Sequence, residues 1–346
     1  MNTRNRHSRG AAAWIAAILA AAIALPAHAE WHKRVDDGIM GTRIIVELWS
    51  EQPAAGEQAI DAVLAEMRHI DADMSTYKPD SEVSRVNAGA ARHPVKISAE
   101  LFGLLETALE YSRITNGAFD ITYASVGFMY DFRARHRPDE QQIAAALPAV
   151  NYHHVLLDRA TRSVRFTQPG VRIDLGGIAK GYSVDRGIEI LQRLGIRHAL
   201  VSAGGDSRII GDRFGKPWIV GIRHPDRKDE VIARIPLVDT AISTSGDYER
   251  YFDENGVRYH HIIDPRTGHS ASAVRSATVL APTATRTDGL SKTAFVLGAD
   301  AALKIYAKLG DVEAILVRPD GKVLYSQGLE PAQPGAAAPA PKPAGE

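Results

Sequence analysis

Apolar residues recur every three or four positions in several segments, a spacing that places them on one face of a helix. The clearest run lies in residues 58–73, where Ile60, Val63, Leu64, Met67 and Ile70 form one stripe. The same spacing predicts helices after Ser98 as far as Asn116-Gly117, and at residues 139–147, 182–194, 290–297 and 301–309. A polar segment at residues 81–87 is predicted to be a loop.

Short runs rich in β-branched residues predict strands between these helices. They lie at residues 46–49, 155–157, 164–166, 171–173, 198–202, 218–222, 231–236, 278–281 and 314–317. Helices and strands alternate only part of the way along the chain. This favours an α+β or mixed α/β fold over a regular parallel barrel, although periodicity cannot give the strand order.

The two ends of the chain differ in composition from the middle. Residues 1–29 combine an arginine-rich start, the apolar run Ala11–Leu25 and the small-residue site Ala27-His28-Ala29, which is the pattern of a cleaved export signal. The apolar run is shorter than the ~20 residues that span a bilayer, so we expect no membrane span after cleavage. Residues 329–346 are rich in Pro and Ala and predict a solvated tail. Residues 30–328 are then the folded domain.

Charge and cysteine content narrow the function further. The chain carries 41 basic and 41 acidic residues, a balance that argues against nucleic acid as the main partner. It has no cysteine, which excludes disulfides, thiol catalysis and thiolate metal sites. Any metal must be held by oxygen or imidazole, which favours magnesium, calcium or manganese.

Two segments have the chemistry of a phosphate and a cation site. Asp174 to Tyr182 joins a double glycine, Lys180 and a helix start, so backbone amides and an ammonium group could bind an anion. The alternative is a plain tight turn with an exposed lysine. Asp288 is expected in the first turn of the helix at 290–297, either as a ligand of a divalent ion or as a helix cap. A weaker Gly-rich turn at residues 203–207 is interpreted as a turn rather than a site.

Three other side chains are weaker candidates. Tyr77 could stack on a planar ring, and Asp120 could accept hydrogen bonds from ring or ribose donors. His261 could face a ligand, orient a carboxylate or be satisfied within a turn. None of these residues is diagnostic alone.

Taken together, these segments resemble the ApbE family of flavin transferases (FAD:protein FMN transferases) over residues 40–324. The segments that carry the resemblance are Met74-Ser75-Thr76-Tyr77, Gly117-Ala118-Phe119-Asp120, Gly177-Ile178-Ala179-Lys180-Gly181-Tyr182, Ser243-Thr244-Ser245-Gly246, the run from His261 to Gly268, and Thr287-Asp288-Gly289-Leu290-Ser291. The resemblance implies a T-fold-related single large domain built from two closely packed lobes.

The resemblance also implies an activity. The family enzyme is periplasmic and uses Mg²⁺ to transfer the FMN half of FAD to a Ser or Thr hydroxyl of a target flavoprotein, releasing AMP. Such targets are subunits of redox pumps or other electron-transfer proteins. Carried over by position, the expected FAD contacts are Met40, Ser75, Thr76, Tyr77, Asp120, Lys180 and His261, and the expected metal ligands are Gly177, through its carbonyl, and Asp288.

Cleavage of a diphosphate suits these assignments, because charge must be neutralised on its oxygens while a hydroxyl attacks in line. A metal ion at Asp288 and the ammonium group of Lys180 would supply that neutralisation. The acceptor hydroxyl also needs a base, and the sequence leaves Asp288 and His261 as candidates.

One position departs from the family pattern. Where the family has a metal-binding Thr four residues after the Asp, this chain has Lys292, followed by Thr293. Lys292 could turn away while Thr293 or carbonyls complete the metal shell, or its ammonium could replace part of the metal's charge and leave transfer slow or lost. We expect a working enzyme. The alternatives are an FAD pyrophosphatase that yields FMN and AMP, and a protein that carries FAD without cleaving it to serve a periplasmic redox system.

Overall fold

The structure is a computed structural model that describes residues 29–227 and 229–329. Apart from their border residues, the predicted export signal and the Pro/Ala-rich tail lie outside the described residues, and both stay predictions. No helix in these two ranges is long and apolar enough to cross a membrane.

The helices, numbered in chain order, confirm most of the predicted ones. They are α1 (Pro53–Met74), α2 (Glu82–Gly89), α3 (Ala99–Ile114), α4 (Ala124–Gly127), α5 (Glu140–Ala146), α6 (Ala179–Arg193), α7 (Ala284–Ser291), α8 (Thr293–Leu297) and α9 (Ala299–Leu309). Short 3₁₀ turns lie at Ile121–Tyr123, Leu147–Ala149, Tyr152–His154 and Gln327–Leu329.

The strands include eight of the nine that were predicted and several that were not. They are β1 (Glu30–Ile39), β2 (Thr42–Ser50), β3 (Val95–Lys96), β4 (Val155–Asp158), β5 (Ser163–Phe166), β6 (Ala199–Ala203), β7 (Asp206–Ile210), β8 (Trp218–Arg223), β9 (Val231–Leu237), β10 (Ala241–Gly246), β11 (Tyr251–Glu254), β12 (Val257–His260), β13 (Ser276–Ala281), β14 (Glu313–Val317) and β15 (Val323–Tyr325).

One sheet of eight strands organises the fold, in the order β1-β2-β6-β7-β10-β13-β14-β15. All of its neighbouring strands are antiparallel. Helices α1, α6, α7 and α9 cover one face of this sheet, and the β8–β9 hairpin packs on the other. The antiparallel pairing confirms the α+β alternative of the predicted fold class.

A second core lies beside the sheet. It is built from α2, α3, the end of α1 and the small sheet β3-β5-β4. Met40 is partly buried and packs against both this core and the one under α1 and α6. It lies in the two-residue turn between β1 and β2, where Met40 has φ 53° and Gly41 has φ 62°. This turn therefore lies where the two cores meet.

Two segments differ from their predicted structure. Residues 82–89 form α2 rather than a loop, because the hydroxyl of Ser81 accepts the Ser84 amide at 3.0 Å and caps the helix. Residues 171–173 do not form a strand, because their backbone groups bond to side chains instead of to a neighbouring strand. Asn87 exchanges two hydrogen bonds with the Ile173 backbone, at 2.8 and 2.9 Å. Ser125 accepts the amide of Arg172 at 3.0 Å.

The helix that carries Asp288 begins earlier than predicted. It starts at Ala284, so Asp288 lies in its second turn, and the expectation of a first-turn carboxylate was wrong. Thr283 makes no cap with its own side chain. Instead Asp185 of α6 accepts the amides of Ala284 and Thr285, at 2.9 and 2.8 Å. A cap supplied by another helix leaves no local sequence signal.

Helices α6 and α7 touch at Gly181. A Cβ at this position would lie 2.2 Å from the carbonyl oxygen of Ala284 and 2.8 Å from the Cβ of Asp288. Only glycine allows the two backbones to approach this closely. The amide of Gly181 donates to Oδ2 of Asp288 at 3.1 Å, so the close contact also fixes the carboxylate.

We predict that Gly181→Ala destabilises the protein by roughly 1–3 kcal/mol, because the added methyl group has no space. Gly103→Ala is the matched control, since Gly103 is a helical glycine with nothing within 4 Å of an added Cβ. That change should leave stability unchanged or raise it by up to about 1 kcal/mol. Urea unfolding of both variants measures the difference, and equal stabilities would contradict the close contact.

Candidate functional site

Two lysines and two aspartates from three separate segments meet at the start of α6. Nζ of Lys180 lies 2.5 Å from Oδ2 of Asp206 and 3.6 Å from Oδ2 of Asp288. Nζ of Lys292 contacts Oδ1 of Asp288 and lies 2.8 Å from the carbonyl oxygen of Asp288. We call these four residues the lysine–carboxylate cluster. Its two ammonium and two carboxylate groups balance in charge.

Burial makes this balance necessary. Asp288 is 0% exposed and Asp206 is buried. Burial disfavours the charged form of Asp288, but the ammonium groups of Lys180 and Lys292 lower its pKa below the ordinary value. Burial and the neighbouring Asp288 carboxylate raise the pKa of Asp206. Although burial disfavours the charge of Lys180, the carboxylates of Asp206 and Asp288 raise its pKa. The cluster thus holds Asp288 as an anion and Lys180 as a cation.

The Ser-Thr-Ser-Gly segment lies under α7. It is part of β10, in the middle of the large sheet, and the hydroxyl groups of Ser243 and Ser245 face those of the helix. The hydroxyl oxygens of Ser243 and Thr287 lie 2.6 Å apart, and those of Ser245 and Ser291 lie 2.9 Å apart. These pairs hold the turn of α7 that carries Asp288 against the sheet. The polar residues of both segments therefore make buried contacts with each other.

Asp206 is a site residue that the sequence analysis missed. The segment around it was interpreted as a weak Gly-rich turn. In the structure Gly204 and Gly205 form the two-residue turn between β6 and β7, and Asp206 begins β7. Its position after a double glycine was the available signal, but only the fold shows that the carboxylate reaches Lys180.

Asp174 joins two of the segments that carry the family resemblance. Its Oδ2 accepts the hydroxyl of Thr76 at 2.8 Å, and its Oδ1 accepts the Tyr123 hydroxyl at 2.8 Å and the Gly176 amide at 2.7 Å. The Met-Ser-Thr-Tyr loop is thereby fixed beside residues 174–182, which we call the Gly-rich loop. Tyr77, the next residue in the Met-Ser-Thr-Tyr loop, is 87% exposed.

Asp120 is engaged within its own loop. Its Oδ1 accepts the amide and the hydroxyl of Thr122, at 2.8 and 2.6 Å, and its Oδ2 accepts the Tyr152 amide at 2.7 Å. Burial raises its pKa. These bonds cap the 3₁₀ turn that presents Tyr123 to Asp174. Both carboxylate oxygens of Asp120 are therefore engaged within the protein.

His261 lies in a positively charged environment. Its backbone amide donates to the carbonyl of Arg250 at 3.1 Å, and its Nδ1 is buried without a hydrogen-bond partner. Burial, followed by the nearby His260, Arg250, Lys292 and Lys180, lowers the pKa of His261 to about 3. The ring is thus neutral at pH 7 and has a ring nitrogen with no partner.

Arg250 is a second residue that the sequence analysis missed. Its Nη2 donates to the carbonyl of Gly41 at 3.3 Å, which joins it to the turn that contains Met40. Its charge also acts on Lys180, His261 and Tyr123. An arginine in a turn between two strands, here β10 and β11, carries no motif of its own.

The residues around Asp288 do not fit the expected divalent ion. The ammonium of Lys292 occupies the contact with Oδ1, and Lys180 and the Gly181 amide engage Oδ2. The hydroxyl of Thr293, the other candidate ligand, is buried without a hydrogen-bond partner and makes no hydrogen bond to Asp288. Within residues 29–227 and 229–329, no three His, Asp or Glu side chains are grouped to hold a metal.

The chain belongs to the ApbE family, whose family model matches residues 40–316. It is 37% identical over 278 residues to the FAD:protein FMN transferase of Haemophilus influenzae, covering 77% of this chain and 80% of that protein. It is 32% identical over 310 residues to the FAD:protein FMN transferase of Treponema pallidum, covering 84% and 86% of the two chains.

Solved structures agree with this membership. The ApbE protein of Thermotoga maritima superposes with a TM-score of 0.79 at 36% identity, over 86% of this chain and 98% of that one. The flavin transferase ApbE of Vibrio cholerae gives a TM-score of 0.76 at 30% identity, again over 86% and 98% of the two chains. The predicted family and its mixed fold are confirmed.

We predict that His261 makes stability depend on pH. The ring titrates near 6.5 in an unfolded chain and near 3 in the fold, so between these values the unfolded state binds one more proton. The contribution of the neutral His261 ring to the free energy of unfolding is therefore fully present above pH 6.5. It is lost as the pH decreases, by up to about 1.4 kcal/mol per pH unit. The free energy of unfolding, measured with urea between pH 4 and 6, should depend less steeply on pH in His261→Asn than in the wild type.

The exposed His93 provides the control. His93→Asn should keep the wild-type slope. An unchanged slope in His261→Asn would mean that the imidazole is already charged in the fold, contrary to the buried neutral ring.

Proposed function

We propose that this protein transfers the FMN moiety of FAD to a Ser or Thr hydroxyl of a target flavoprotein and releases AMP. The observation that carries the proposal is the lysine–carboxylate cluster, which holds the ammonium groups of two lysines, one at the start of α6 and one just after α7, close together, where both can contact a diphosphate. The relatives named FAD:protein FMN transferase support the same reaction.

The transfer breaks one bond and forms one. The hydroxyl oxygen of the acceptor attacks the phosphorus atom on the FMN side of the diphosphate, and the bond from that phosphorus to the bridging oxygen breaks. AMP leaves with the bridging oxygen, and the hydroxyl proton passes to a base. Negative charge builds up on the phosphate oxygens, so fixed ammonium groups accelerate the step.

Lys180 and Lys292 fit the role of these fixed charges. Each ammonium group contacts a carboxylate, and the side chains of Lys180 and Lys292 are 26% and 17% exposed. The buried carboxylates orient the ammonium groups before substrate arrives, which avoids a reorganisation cost during the reaction.

His261 is the better candidate for the base. Asp288 has a lowered pKa and both of its oxygens are engaged, whereas Nδ1 of His261 has no partner. A bound diphosphate would offset the positive charges that now lower the pKa of His261 and would make the ring more basic.

The isoalloxazine ring of FAD is proposed to bind at the Met-Ser-Thr-Tyr loop. The exposed ring of Tyr77 provides a surface for stacking on isoalloxazine. Thr76 and Ser75 lie on the same loop, which Asp174 joins to the Gly-rich loop, and Met40 lies in the turn contacted by Arg250. Asp120 acts on this site through the turn that it caps.

The protein is proposed to act in the periplasm on a subunit of a redox pump or electron-transfer protein, as the N-terminal pattern and the family resemblance suggest. The Mg²⁺ expected from the resemblance forms no part of the proposed step, because Lys292 already occupies the Asp288 contact.

We predict that Lys180→Met lowers AMP formation from FAD by roughly 100- to 1,000-fold, because it removes a preorganised positive charge from the diphosphate site. AMP and protein-bound flavin are measured after incubation of the protein with FAD and a candidate acceptor flavoprotein, with and without Mg²⁺. Lys304→Met, at an exposed position on α9, is the control and should keep full activity.

The same assay separates the alternatives. AMP together with covalent flavin indicates transfer, and AMP alone indicates an FAD pyrophosphatase. Retained FAD without either product indicates a carrier and would refute the proposed transfer. Unchanged AMP formation by a folded Lys180→Met variant would remove Lys180 from the site.

A further inference from the structure

We propose that the ammonium group of Lys292 replaces the divalent ion at Asp288, so that this chain transfers FMN without a metal. The inference rests on the proposed function and assigns a role to a residue that departs from the family pattern. It requires that the side chain occupy the ion's position, stay there, and still reach a phosphate.

The position is defined by the groups expected to bind the ion. Nζ of Lys292 contacts Oδ1 of Asp288 and also its carbonyl oxygen, at 2.8 Å. Cε of the same side chain would lie 3.7 Å from a Cβ at Gly177, so the stem passes along the Gly-rich loop. The end of Lys292 therefore lies where Asp288 and Gly177 converge. The alternative in which Lys292 turns away to solvent is wrong for this structure.

The local backbone keeps the side chain there. Lys292 is the single residue between α7 and α8, and it follows Asp288 by four positions, so both side chains lie on one side of the helix. Its side chain is only 17% exposed. Removal of the ammonium from Asp288 would leave Lys180 and the Gly181 amide as partners of a fully buried carboxylate. The pairing is therefore favoured over a solvated lysine.

The charge balance disfavours an additional ion. With Lys292 present, two ammonium groups offset the carboxylates of Asp206 and Asp288. A divalent ion at Asp288 would have to displace the ammonium or remain beside it, and like charges at contact repel strongly. With a threonine at position 292 the cluster would have a net negative charge and an additional oxygen ligand, which is the situation that suits Mg²⁺.

The ammonium can also serve the substrate. A lysine has three N–H donors, and Lys292 directs two of them to oxygens of Asp288. One donor remains for an oxygen of the diphosphate. Lys292 would thus contact both Asp288 and the substrate, and it would supply one positive charge where a divalent ion would supply two.

We predict that the wild-type protein keeps AMP and covalent-flavin formation from FAD and a candidate acceptor flavoprotein in excess EDTA, within about threefold of the rate with Mg²⁺. Lys292→Thr should lose at least about 100-fold in EDTA and recover with Mg²⁺, since the threonine recreates the family's ligand position. Lys292→Met keeps the length of the side chain without its charge and should be slow under both conditions. Lys304→Thr is the control and should behave as wild type.

Direct binding of Mn²⁺, followed by electron paramagnetic resonance without nucleotide, gives a readout that does not depend on activity. Lys292→Thr should bind one Mn²⁺ that wild type does not bind, and Asp288→Asn in the same background should abolish it. A wild-type enzyme that is active only with Mg²⁺, or that binds Mn²⁺ through Asp288, would overturn the inference and leave the transferase function intact. Absence of AMP and flavin transfer from every variant would refute the function, while Mn²⁺ binding would still decide the role of Lys292.

Discussion

A fully buried carboxylate at Asp288 constrains the rest of this structure. An isolated charge in that position would be too costly, and breaking a buried ion pair typically costs about 3–5 kcal/mol. The fold supplies Lys180 from the start of α6, Lys292 from the end of α7 and the Gly181 amide from the contact between the two helices. The same contacts that stabilise this charge hold two ammonium groups close together, so stability and the proposed function depend on one carboxylate.

The contacts that place Asp288 join segments that lie far apart in the sequence. Asp185 caps α7, Gly181 allows the helices to touch, and the hydroxyl groups of β10 hold α7 on the sheet. Asp174 then joins the Gly-rich loop to the loop that exposes Tyr77. Each contact is specific to a residue type, and each links segments that are far apart in the sequence.

Local patterns predicted the elements well where a local cause exists. Ser98 begins a helix and Gly195 follows the end of another, as predicted. The predicted apolar stripe of α1 is also buried. The errors arose where distant groups decide the structure, as with Asp185 at the start of α7 and Asn87 beside residues 171–173. For the same reason Asp206 and Arg250 were missed, since only the fold brings them to Lys180 and Met40. The family resemblance identified Lys292 as a departure, but its contact with Asp288 required the structure.

The most direct test is a crystal structure of the protein grown with FAD and Mn²⁺, with anomalous diffraction measured at the manganese edge. We expect the diphosphate to lie within hydrogen-bond distance of the Lys180 and Lys292 ammonium groups, with no anomalous peak at Asp288. A manganese peak bound to the Asp288 carboxylate, with Lys292 turned away from it, would show instead that a metal ion serves at Asp288.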